Sequence, residues 1–130
     1  MSVETFGFDN LQNRLLAVAE RDAPRLIDES VERQGMQIVA DVKQGSPVRA
    51  ESGGGNLKRK WTIGVVSNGA VEIGTNVDYA LPVEKGFIHN NGGFKVKGVH
   101  MLEKAVENGR RRLPGEMDRL MSAIRNELGL

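Results

Sequence analysis

The segment VEIGTNVDYALPVEKG, residues 71 to 86, constrains this chain more than any other because its apolar spacing changes period partway through. Val71, Glu72 and Ile73 alternate apolar and polar as a half-buried strand does, and Gly74-Thr75-Asn76 is suited to ending that strand. Tyr79, Ala80 and Val83 can then share one face of a short helical turn. Pro82 confines that turn to its opening position and Gly86 offers an exit. The segment therefore predicts strand, turn, one helical turn and loop.

At 130 residues the chain is one domain by size, residues 1–130, long enough to bury roughly two-thirds of its unfolded surface. Eighteen basic residues against seventeen acidic leave no global drive towards nucleic acid or anionic membrane, so any such binding must be local. No cysteine is present, which excludes disulfides and thiolate chemistry and suits a reducing cytoplasm. The N-terminus is polar and acidic, and no apolar run nears the approximately 20 residues of a spanning helix. A soluble protein without signal peptide or membrane partner is expected.

Helical patterns flank a β-rich, glycine-rich middle. Asp9 is placed to cap a short first helix with the apolar stripe Leu11, Leu15, Leu16 and Ala19. Asp22 is placed to cap a long second helix with Pro24 in its first turn, and Ile27, Val31, Ile38 and Val42 continue one face as far as Gly45-Ser46-Pro47. Gly35 inside it suggests a close approach or a slight bend. Leu57, Trp61, Ile63 and Val65 alternate as a strand, and Ser67-Asn68-Gly69 turns the chain back into Val71 and Ile73. Phe94 and Val96 alternate with Lys95 and Lys97 after the turn-forming His89 to Gly93, which reads as a second, projecting hairpin. Residues 49–56 and 87–98 are expected to be mobile loops. Met101, Leu102, Ala105, Val106, then Leu113, Met117, Leu120, Met121, Ile124 and Leu128 give two C-terminal helices, or one kinked near Pro114. The fold class is thus α+β, an antiparallel sheet with the long helix of residues 22–44 and the C-terminal helices packed on it.

Catalytic chemistry finds little to stand on. His89 and His100 are the two histidines, with no cysteine to complete a metal set. Asp78 and Glu84 could form a carboxylate pair, but Asn76 and Lys85 beside them favour turn capping and surface pairing. The glycines of 53–55 precede a strand pattern instead of opening a helix, so a phosphate cradle would not form. No enzyme activity, cofactor or metal is expected. Lys58, Arg59 and Lys60 beside Trp61, and the triplet Arg110, Arg111 and Arg112, are the candidates for nucleic-acid contact. Trp61 is assigned to the core.

Four pieces, in order, resemble the head-tail joining family of tailed bacteriophages, the neck and tail-completion proteins related to the lambda minor tail protein Z. They are Phe6-Gly7-Phe8-Asp9-Asn10-Leu11; Ser46-Pro47-Val48 followed by Gly55-Asn56-Leu57-Lys58-Arg59; Gly74-Thr75-Asn76-Val77-Asp78-Tyr79-Ala80 with Val83-Glu84-Lys85-Gly86; and Met101-Leu102-Glu103-Lys104-Ala105. The chain departs from the family pattern in the spacer of residues 49–54 and at Lys85, where an aromatic is usual. The resemblance implies a structural virion protein of the neck, assembled in the host cytoplasm. Copies would form a homo-oligomeric ring, expected to be hexameric, between head-completion or connector proteins and the tail terminator or tail tube. Genomic DNA would pass through without sequence-specific binding.

Within that reading Phe87, Ile88, Phe94, Val96, Tyr79 and Glu84 are the expected partner-interface residues, since apolar groups on an excursion from a small domain are not all covered by it. Lys58, Arg59, Lys60, Arg110, Arg111 and Arg112 would face the lumen. The alternatives are a small DNA-binding module using those two basic clusters, or a toxin or regulatory protein of prophage origin.

Overall fold

The structure is a computed structural model that describes residues 3–48, 55–88, 93 and 95–129, with side chains from Asn10 onward. Helix α1 (Val3–Ala17) does not stop where the sequence suggested. A π-helical turn (Val18–Asp22) carries it directly into α2 (Ala23–Gly45). Asp9 therefore lies inside a helix and is not its cap. Asp22 is likewise no cap: its backbone is helical, and its buried carboxylate accepts a hydrogen bond from Arg21 Nε at 3.2 Å. Pro24 accounts for the local widening. It lacks an N–H and its ring crowds the carbonyl four residues back; the wider turn, with Ala23 N–H bonded to Val18 O, relieves that crowding without breaking the helix.

After a helical turn, α3 (Asn56–Arg59), strands β1 (Thr62–Ile63) and β2 (Ile73–Gly74) pair antiparallel, Thr62 opposite Gly74 and Ile63 opposite Ile73. The Ser67–Ala70 bridge closes this hairpin around Asn68 and Gly69, both at positive φ (52° and 73°), the type I′ geometry that matches strand twist. The strand expected from Leu57 thus begins later. Gly55, left-handed at φ 84°, opens a turn of helix instead, and that turn seats Leu57 in the core. Helix α4 (Ala80–Lys85) leads into β3 (Gly86–Ile88), paired antiparallel with β4 (Lys95–Lys97). The C-terminal region is one helix, α5 (Met101–Leu128), with Pro114 inside it. The α+β class holds, with its β component divided into two two-stranded ladders among the described residues. None of the described helices is long and apolar enough to cross a membrane.

Helices α2 and α5 run antiparallel, since Gly45 adjoins Met101 while Arg25 reaches Glu127. One glycine sets their spacing and another admits the first hairpin to α2. A Cβ on Gly109 would lie 2.9 Å from Ile38 Cδ1, and one on Gly35 would lie 2.6 Å from Ile63 Cδ1, so Gly109 admits α5 against α2 and Gly35 admits the first hairpin. The core gathers at this end: Val39, Val42, Leu57, Trp61, Met101 and Ala105, flanked by Ile63, Ile73, Val77, Ala80 and Val83. Leu57 and Met101, buried almost completely, each contribute about 2 kcal/mol of apolar transfer. Trp61 lies in the core as expected, although its indole N–H donates to no protein group among the described residues.

Farther along the seam the contacts turn polar. Glu116 accepts hydrogen bonds from Ser30 Oγ (2.9 Å) and from Arg33 Nη2 (2.6 Å) and Nε (3.2 Å), and Asp41 accepts one from Arg112 Nη1 at 2.8 Å. Burial pushes the Glu116 pKa up, but the bonds from Arg33 and Ser30 and the charges of Arg33 and Arg119 outweigh it, so the pKa sits below the ordinary 4.5. A carboxylate with a depressed folded pKa stabilises the fold fully above its ordinary value and loses that contribution as pH falls through the folded one. Wild type should therefore be more stable than Glu116→Gln at pH 7, with the gap closing as the pH drops from about 5 towards 3. Urea unfolding at both ends of that range measures this, and a gap that stays constant across it would remove Glu116 ionisation from the seam.

Candidate assembly surfaces

The second hairpin is held at its base by a crossing of two glycines. A Cβ on Gly98 would fall on the Glu84 carbonyl oxygen, and one on Gly86, at φ 90°, would lie 2.5 Å from Val96 O. Val99 N–H then bonds Val83 O at 2.8 Å and His100 N–H bonds Glu84 O at 3.0 Å, which ties the outgoing chain to α4. His100 turns into α5 with a left-handed backbone, φ 55°.

Glu84 completes this junction. Its carboxylate accepts the backbone N–H groups of Leu102 (2.8 Å) and Glu103 (3.1 Å). These belong to the four amides that a helix start leaves without intrahelical partners, and the helix dipole favours a negative charge there. Glu84, expected at a partner interface, is thus engaged inside its own chain as the cap of α5. Glu84, His100 and Glu103 bring ligand-type atoms within 4.8 Å of one another, the one such group among the described residues. Hydrogen bonding accounts for the arrangement: Glu84 serves the two amides, and Glu103 Oε2 lies 2.9 Å from His100 Nδ1.

Register sorts the hairpin into two faces, because directly opposed residues point the same way. Ile88 opposes Lys95 and Gly86 opposes Lys97 on one face, while Phe87 opposes Val96 on the other. Phe87 is 42% exposed and Ile88 62%, Val96 is half-buried, and the hairpin borders a cleft of about 540 Å³ that includes Lys85, Lys97 and His100. Phe94 lies outside the described residues. Tyr79 stands just before α4, half-exposed, its hydroxyl accepting from Asn56 Nδ2 at 3.1 Å; Ala80 and Val83 alone turn from that segment into the core.

The two basic clusters differ. Lys58, Arg59 and Lys60 are all exposed, on a helical turn and not the strand whose alternation was expected to separate them from Trp61. Within the triplet, Arg110 pairs with Glu107 at 3.0 Å and Arg112 with Asp41 at 2.8 Å, while Arg111 is exposed. Much of the triplet's charge is therefore answered within the chain.

No partner role was expected of the helical arm formed by α1 and the far part of α5, yet its apolar stripes are half bare. Leu11, Leu15 and Leu16 on α1, and Leu113, Met117 and Met121 on α5, each expose 47–49% of their surface. The stripes were legible from spacing; what the sequence could not show is that α1 runs straight on into the π turn and leaves its leucines half exposed.

Among the described residues, the most prominent surface features are the uncovered apolar groups of the second hairpin and of helices α1 and α5. Residues 9–86, more than half of the chain, match the family model described as "Bacteriophage HK97-gp10, putative tail-component", and the chain belongs to this HK97-gp10-like family. No curated protein and no solved structure gives a match.

Removing the cap should cost about 1–2 kcal/mol in Glu84→Ala, and Gly98→Ala should cost more, since backbone would have to move. Denaturant unfolding of both variants is the measurement; a loss under about 0.3 kcal/mol for Glu84→Ala would mean that the α5 start does not depend on this carboxylate.

Proposed function

We propose that this chain is a neck or tail-completion subunit of a tailed bacteriophage, of the kind represented by the lambda minor tail protein Z. Its work is assembly, not catalysis. Copies close into a ring, hexameric to match the tail beneath it, around the channel through which DNA leaves the head. Head-completion or connector proteins lie on one side and the tail terminator or tail tube on the other, and the protein is part of the virion after assembly in the host cytoplasm.

Family membership supports the tail role. The observation that carries the assembly reading is the uncovered apolar surface on both the hairpin and the helical arm, more than a chain with this one small core would leave to water. A DNA-binding module is less well supported, because Arg110 and Arg112 are already paired with carboxylates.

Deleting the gene from a phage that encodes this chain should leave filled heads and finished tails unjoined in negative-stain images, and purified protein added to that lysate should restore joined, infectious particles. Normal particles formed without the protein would overturn the reading.

A further inference from the structure

Two of the uncovered surfaces, the second hairpin and α1, sit at opposite ends of the α2–α5 helix pair. The hairpin is tied to the start of α5 through Val99 and His100, whereas α1 meets its end, where Arg14 Nη1 donates to Leu128 O at 3.1 Å. Those ends are separated by the 28 residues of α5, roughly 40 Å at 1.5 Å per residue. The hairpin, even with both strands fully extended from Gly86, reaches about half that far. It cannot cover α1 of its own chain.

Charge divides along the same line. Residues 1–45 carry five basic and eight acidic side chains, and residues 46–100 carry seven basic and four acidic. From Lys85 to Leu102 there are three lysines and no acidic residue. Lys85, Lys95 and Lys97 are exposed and make no ion pair among the described residues. Glu20, one helical turn beyond Leu16, is exposed and equally unpaired there; Arg21 pairs with Asp22, and Arg14 donates to the neutral Leu128 carbonyl.

We propose that the second hairpin of one copy docks on α1 of the next. Ile88 sits against Leu11, Leu15 and Leu16, and Lys95 and Lys97 lie towards Glu20. The occupant of each face is a second copy of this chain, because the faces complement each other in both apolar content and charge and lie too far apart to meet within one copy. Contact between unlike ends is heterologous, so it builds a closed ring where the rotation fits and an open filament where it does not. The inference rests on the ring reading above and supplies the pair of surfaces that reading needs.

The test uses two exposed-site variants of the full chain, Ile88→Asp and Leu15→Asp, each checked for native circular dichroism and followed by sedimentation velocity across concentration. Wild type should self-associate, more weakly at 0.5 M than at 0.05 M salt, and each variant alone should stay monomeric. Their mixture should give one-to-one dimers and nothing larger, since only the hairpin of Leu15→Asp and the α1 face of Ile88→Asp remain intact. Undiminished self-association by either variant would overturn the hairpin-to-α1 pairing, and so would a mixture that stays monomeric. A wild-type chain monomeric to millimolar concentration would overturn the second copy as occupant. Restoration of joined particles by the same variants is read separately: if both restore them as well as wild type, the tail role stands and this pairing falls.

Discussion

The close approach of α5 to α2 at Gly109 is the constraint on which the rest of the structure depends. With no side chain between the helices at that point, Ile38 packs directly on the α5 backbone, and the two axes stay near enough for Met101 and Ala105 to share a core with Val39 and Val42. Gly35, less than one turn from Ile38 on α2, does the same for the first hairpin by receiving Ile63 and Val71. One helix thus accepts a helix through one missing Cβ and a sheet through another. The roughly 1 kcal/mol that each glycine costs a helix interior is offset by the packing it permits.

That core then positions the second hairpin through a chain of short links. Ala80 and Val83 anchor α4 to the core, the next residue, Glu84, caps α5, and the chain leaving the hairpin crosses the end of α4 at Gly98, where there is no room for a side chain. The motif from Gly74 to Gly86 is therefore a single mechanical unit: strand end, anchored turn, cap and exit. Its glutamate and its final glycine serve one junction from two directions, the carboxylate holding the helix start and the glycine letting the hairpin leave. This explains why a segment of ordinary residues could be so informative as an ordered set.

Much of this was legible because it is local. The type I′ turn at Asn68-Gly69, the helical turn around Pro82, the burial of Trp61 and the second hairpin all follow from short-range preferences. What failed was the treatment of Asp9 and Asp22 as helix starts. Asp22 finds an ionic partner in Arg21 inside the continuous helix, and Pro24 was tolerated by widening a turn instead of ending the helix. The role of Glu84 was hidden for a different reason. Its partners are backbone amides eighteen and nineteen residues later, and no side-chain pattern records where a later helix will begin. The same holds for the arginine triplet: its answering carboxylate on α2, Asp41, lies seventy-one residues away from Arg112.

The distribution of burial is itself an argument about how such a subunit works. Nearly all fully buried apolar residues lie where α2, α5 and the β elements meet, whereas the far end of the helix pair keeps Val18, Asp22 and Ser30 buried and leaves its leucines and methionines half bare. Helix α1 is held by helical continuity through the π turn and by Arg14 on the last carbonyls of α5, contacts that stabilise direction more than they bury surface. Segments with few buried contacts open at low free-energy cost, well below that of global unfolding. With a firm core and a lightly held arm, local opening of α1 leaves the junction that fixes the hairpin undisturbed.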